Sequence, residues 1–112
     1  MISNIAVISD GHAGSQLALC PPRRFKLDGG GYYEPSQVQR LLYKYWKEYW
    51  EWVKHASTGE PFAVVNNGDA LDGIPHESKG AISYNFADQE EIAYQLLAPI
   101  VDMCGGRYYH IR

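Results

Sequence analysis

The feature that most constrains this chain is an alternation of two hydrophobic rhythms. Three short segments, Ile2 to Ser9, Phe62 to Asn66 and Arg107 to Ile111, read as strands, and two long segments between them carry apolar residues every three or four positions. A continuous apolar run such as Ile5-Ala6-Val7-Ile8 suits a strand buried on both faces. The order is therefore strand, helix, strand, helix, strand. Strands that alternate with long helices imply right-handed crossovers and a parallel sheet, so the expected class is α/β. In such sheets, functional sites form at the C-terminal ends of the strands.

The clearer helix is Ser36 to His55, with Pro35 and Ser36 suiting its start. Val38, Leu41, Leu42, Tyr45, Trp46, Tyr49, Trp52 and Val53 fall on one face, while Gln39, Arg40, Lys44, Lys47, Glu48 and Glu51 fall on the other. This reading buries Trp46 and Trp52 and leaves Trp50 facing a partner or the missing half of the domain. The second helix is Ala87 to Met103, with Ile92, Leu96, Leu97 and Ile100 as its apolar stripe and Pro99 as an expected kink or early stop. Two loops complete the chain. Ala13 to Pro35 carries Pro21-Pro22, Arg23-Arg24 and Gly29 to Gly31 and is expected to be irregular; Ala70 to Asn85 is the other.

Length and charge narrow the function classes. A chain of 112 residues suits one domain. Its net charge of −3 lacks the basic footprint of a nonspecific nucleic-acid binder. A phosphate-bearing substrate stays compatible, because metal ions supply positive charge that the sequence sum omits. Cys20 and Cys104 form no C-x-x-C pattern and read as free thiols of a reducing compartment. No signal peptide or membrane-length apolar run is visible, so a cytoplasmic protein with no membrane partner is expected.

The chemistry gathers after the first two strands. Asp10 and His12 follow the first; Asp69 and Asp72 follow the second. Parallel strands put both groups on one edge of the sheet. Asp-x-His offers oxygen and nitrogen donors two residues apart, a mixture suited to Mn²⁺, Fe or Zn²⁺. Gly68 lets the backbone turn before Asp69. Each motif alone is an ordinary turn; the pair, each after a buried strand and separated by one helical crossover, points to a metal site.

Ile8-Ser9-Asp10-Gly11-His12 resembles the first block of the calcineurin-like metallophosphoesterases, and Asn67-Gly68-Asp69-Ala70-Leu71-Asp72 resembles their Gly-Asp-x-x-Asp block. The resemblance implies a dinuclear metal centre with Asp10 and His12 on the first ion and Asp69 bridging both. It implies that Asp72 orients a catalytic histidine of the family's third block. That block, Gly-Asn-His-Asp/Glu, normally follows the third strand, so the second ion's remaining ligands and the general acid are expected beyond Arg112. Residues 1–112 would then form a single partial domain, the first half of a four-layer α/β-β/α sandwich. The implied reaction is hydrolysis of a phosphomonoester or phosphodiester by metal-activated hydroxide.

Simpler roles stand beside these. His12 suits an exposed loop histidine, His55 a helix C-terminus, His76 an ordinary loop position and His110 a structural one. Arg23, Arg24 and Lys26 suit a solvated loop better than a phosphate contact. Gly29 to Gly31 neither follows a strand nor opens a helix at nucleotide-loop spacing. A non-catalytic, partner-binding α/β module and a nuclease of the same family are the competing functions.

Overall fold

The structure is a computed structural model that describes residues 2–9, 11–68, 82 and 85–111. It contains β1 (Asn4–Ile8), β2 (Phe25–Lys26), β3 (Tyr32–Tyr33), α1 (Gln37–Ala56), β4 (Phe62–Asn66), α2 (Phe86–Met103) and β5 (Tyr108–His110). β1, β4 and β5 form a parallel sheet in that order. The α/β class and the β-α-β-α-β frame hold.

Sheet order and crossover hand fix where the helices go. The sheet steps in one direction from β1 to β4 to β5. Successive crossovers of one hand then lay both helices on the same face. Trp50 and Val53 of α1 and Ile100 of α2 accordingly share a core cluster with Ala6, Phe62 and Val64 of the sheet. On the opposite face, Ile5, Val7 and Tyr109 are exposed and Val65 is half-buried. Parallel sheets are normally covered on both faces. This one, among the described residues, is covered on one.

The helices end where local chemistry ends them. Ser36 caps α1 in a capping box: its side chain accepts from the Gln39 N–H, and the Gln39 side chain accepts from the Ser36 N–H. Asn85 caps α2 by accepting from the Ala87 N–H. Pro99 does not stop α2, which runs on to Met103. Ile92, Leu96 and Ile100 are buried, as their spacing predicts.

The buried face of α1 differs from the expected one. Trp50 is 2% exposed, whereas Trp52 is 62% exposed. The two lie about 200° apart on a helix, so both cannot join one stripe. Gln39, Trp46, Trp50 and Val53 face inward, and Val38, Leu41 and Tyr45 face out. The sequence carries two neighbouring apolar stripes, and periodicity does not choose between them. Edge-to-face packing of Trp50 on Trp46 and Tyr49, at 5.4 and 5.0 Å, accompanies the choice made.

The loop from Ala13 to Pro35 is also more ordered than expected. β2 and β3 pair as a short antiparallel hairpin inside it. Ala13, Cys20 and Phe25 form a second core cluster with Ile92 and Leu96, with Tyr33 and Tyr43 packed alongside. Ile92 to Leu97 of α2 serve this cluster, and Ile100 and Met103 serve the sheet.

Both cysteines are free and buried, in keeping with the thiol reading. Burial pushes the Cys20 thiol up to about 11, with Arg40 pulling weakly the other way. Burial also raises the phenols of Tyr33, which lies near Cys20, and Tyr49. Each group is neutral when protonated, so folding favours the protonated form. Their contribution to stability is complete below the unfolded thiol's ordinary value of 9.0 and is lost as pH rises toward about 11. Urea midpoints should therefore be level from about pH 7 to 8.5 and fall steadily between about pH 9 and 11. A midpoint that held constant to pH 11 would contradict this burial.

Candidate metal centre

The strand pairing brings the two sequence motifs to one edge. Ile8 and Asn66 are register partners at the C-terminal ends of β1 and β4. The Asn67 N–H donates to the Ile8 carbonyl at 2.8 Å, extending the ladder one residue past the strands. Paired strands lie roughly 4.8 Å apart. The chain thus enters Asp10 and Asp69 from adjacent, in-register strand ends. Asp10, Asp69, Asp72 and His76 themselves lie outside the described residues.

His12 is described, and its backbone is unusual. It takes φ of +45°, and it and Thr58 are the two non-glycine residues with positive φ among those described. Histidine tolerates this region better than most residues, yet the conformation still costs about 1 kcal/mol and clusters at functional sites. The His12 carbonyl accepts from the Ser15 N–H at 3.0 Å, closing a turn directly after β1. The residue is half-buried. His12 therefore sits in a closed turn four residues beyond β1.

The segment after His12 is anchored by two buried glutamines. Gln39 is fully buried, although the sequence pattern puts it on the polar face of α1. Its Nε2 donates to the carbonyls of Ser15 and Ala18 at 3.2 and 2.9 Å. Its Oε1 accepts from Tyr33 Oη at 2.6 Å and from the Ser36 N–H at 3.2 Å. All four hydrogen-bonding positions of the amide are used. Gln89 of α2 lies against Gly14, where φ is +105° and a Cβ would meet the Gln89 side chain at 2.6 Å. Glycine is required there on both counts.

The second motif is entered through Asn66, which is 3% exposed at the end of an otherwise apolar strand. Its Oδ1 accepts from the Gly68 N–H at 3.3 Å, and its Nδ2 donates to Tyr108 Oη at 2.8 Å. Gly68 takes φ of +110°, as a sharp turn before Asp69 requires.

Arg24 of the long loop and Arg40 of α1 are engaged elsewhere. The Arg24 guanidinium lies 4.0 Å from the Tyr32 ring centroid, with Nε 3.8 Å from Glu34. Arg40 reaches Glu34 at 3.4 Å and the Pro22 carbonyl at 3.3 Å. These contacts brace the hairpin on α1. His55 and His110 are both exposed, His55 in the last turn of α1, where a cation complements the helix dipole.

Among the described residues, no three of His, Cys, Asp and Glu gather as a metal group, and no helix is long and apolar enough to cross a membrane. The donor set of Asp10, His12 and Asp69 fits a borderline divalent cation by its chemistry. Pattern reasoning missed Gln39 and Tyr108. The capping-box spacing of Ser36 and Gln39 marks the first; nothing local marks the second, because its partner is 42 residues away. The chain matches no protein-family model, no curated protein and no solved structure.

Replacing Gln39 by Leu should leave the half-buried Ala18 carbonyl and the Tyr33 hydroxyl without their Gln39 partner and strip one donor from the Ser15 carbonyl, at a cost of about 2 kcal/mol in chemical denaturation. A loss under about 0.5 kcal/mol would contradict the anchoring role.

Proposed function

We propose that this chain forms part of a metallophosphoesterase, a hydrolase of phosphomonoesters or phosphodiesters with two divalent cations at the C-terminal edge of the β1–β4 pair. The observation that carries the reading is the register of that pair. It leads the Asp10-Gly11-His12 and Gly68-Asp69-x-x-Asp72 motifs out of adjacent strand ends. Asp10 and His12 would hold the first cation, Asp69 would bridge both, and Asp72 would orient a catalytic histidine outside residues 1–112. Mn²⁺, Fe and Zn²⁺ suit these donors. Bound there, the cations would supply a water acidic enough to attack phosphorus and would neutralise charge on the phosphoryl oxygens.

The sheet face left uncovered among the described residues supports the wider architecture. Ile5, Val7, Val65 and Tyr109 make a continuous, uncharged surface opposite the helices. A second sheet packed on it would complete a four-layer sandwich and satisfy the need of a parallel sheet for two covers. Nucleic acid is the less favoured substrate: the net charge is −3 and Arg24 and Arg40 are committed to Glu34.

The test is hydrolysis of p-nitrophenyl phosphate and bis-p-nitrophenyl phosphate by the full-length protein with and without Mn²⁺. The expected outcome is Mn²⁺-dependent turnover that falls at least about 10³-fold in Asp69→Ala, with the fold retained. Undiminished metal-dependent turnover in that variant would sink the proposal.

A further inference from the structure

Helix α1 carries a second apolar stripe, beside the one it turns to the core. Val38, Leu41, Tyr45, Tyr49 and Trp52 fall within about 40° of one line along the helix, whereas the inward-facing Gln39, Trp46, Trp50 and Val53 fall about 80 to 140° away from it. Val38, Leu41, Tyr45 and Trp52 are exposed and Tyr49 is half-buried. The C-terminal end of the stripe is braced: Tyr49 stacks on Trp52 with ring centroids 6.1 Å apart, and its hydroxyl donates to the Val7 carbonyl at 3.4 Å. The exposed Lys44, Lys47, Glu48 and Glu51 run round the other side of the helix. A contiguous apolar strip of this kind, rimmed by charge, marks an interaction surface.

The spacing of the strip identifies what fits it. Read from either end, its five residues are separated by three, four, four and three positions, with Tyr45 at the centre. We propose that this strip is the interface of a homodimer, two α1 helices packing antiparallel about a two-fold axis at Tyr45. In that arrangement Tyr45 meets its own copy, Val38 meets the other copy's Trp52, and Leu41 meets the other copy's Tyr49. Each aliphatic side chain is matched to an aromatic one, and the same patch serves both copies, as a two-fold contact requires. The charges agree. Lys44 and Glu48 are both exposed on one flank of the strip, and the axis brings Lys44 of each copy within about one helical turn of Glu48 of the other. Five partly exposed side chains per copy, at about 100 Å² each, bury about 1,000 Å² in all, the lower bound for a specific interface. The inference does not rest on the metallophosphoesterase reading, since none of these residues belongs to the proposed metal centre.

The experiment is sedimentation velocity on the full-length protein over a range of concentrations, with Tyr45→Lys, Lys44→Glu, Glu48→Lys, the Lys44→Glu/Glu48→Lys double variant, and Lys47→Ala as a control off the strip. Wild type should be dimeric. Tyr45→Lys sets two like charges against each other on the axis and should weaken the dimer about thirtyfold or more while the far-ultraviolet circular dichroism stays unchanged. Each single charge reversal should weaken it, and the double variant should restore it. Mild oxidation tests the register separately. Tyr45→Cys should give a disulfide-linked dimer, because the introduced thiols meet at the axis, and Val38→Cys should not, because its position faces Trp52. A wild-type monomer at about 100 μM would overturn the proposal. So would a dimer that Tyr45→Lys leaves intact, or cross-linking through Val38→Cys as readily as through Tyr45→Cys. A Tyr45→Lys protein that fails to fold would also overturn it, because the strip would then be covered within a single copy.

Discussion

The proposed site depends on the pairing of β1 with β4. Ala6, Phe62 and Val64, buried beneath the helices, set that register, with Ile5, Val7 and Val65 on the opposite face. A slip of one residue would turn each of these side chains to the wrong face. It would also separate the paired strand ends at Ile8 and Asn66. The Asn67-to-Ile8 hydrogen bond lies one step beyond the last strand pair, where the register passes from fold to site. The packing that stabilises the sheet and the geometry that would gather the ligands are thus one constraint.

The long segment after β1 has a related task. A turn at His12 that holds a positive φ persists only where the surroundings determine it. Here they do so through Gln39, Gly14 and the second core cluster, all of which act within a few residues of the turn. Gln39 joins four things at once: the N-cap of α1, the hairpin through Tyr33, and the carbonyls of Ser15 and Ala18. The first halves of the helices and this loop form a cap above the C-terminal edge of the sheet. The second halves of the helices form the core beneath.

Most of the frame was legible in the residues. The β4 boundaries fell where Phe62 to Asn66 predicts, and α1 began at its Ser36 cap. Both elements are announced locally, by an apolar run closed by Asn67-Gly68 and by a capping box. The burial of Trp50 over Trp52 was not legible, because Val38 to Val53 carries two apolar stripes and tertiary partners decide between them. The hairpin at Phe25 and Tyr33 was hidden by its two-residue strands, too short to show alternation. Of the candidate ligands, Asp10, His12 and Asp69 are visible as motifs. The supports, Gln39, Asn66 and Tyr108, are ordinary letters until the fold brings their partners across 21 to 42 residues.

The most direct test of the central claim, that one sheet edge gathers Asp10, His12 and Asp69 around metal, is an anomalous difference map. Crystals of the full-length protein grown with Mn²⁺ would be measured near the manganese edge. Two peaks about 3.5 to 4 Å apart are expected at the C-terminal ends of β1 and β4, one touching Asp10 and His12 and both touching Asp69. Peaks elsewhere on the surface, or none at that edge, would contradict it.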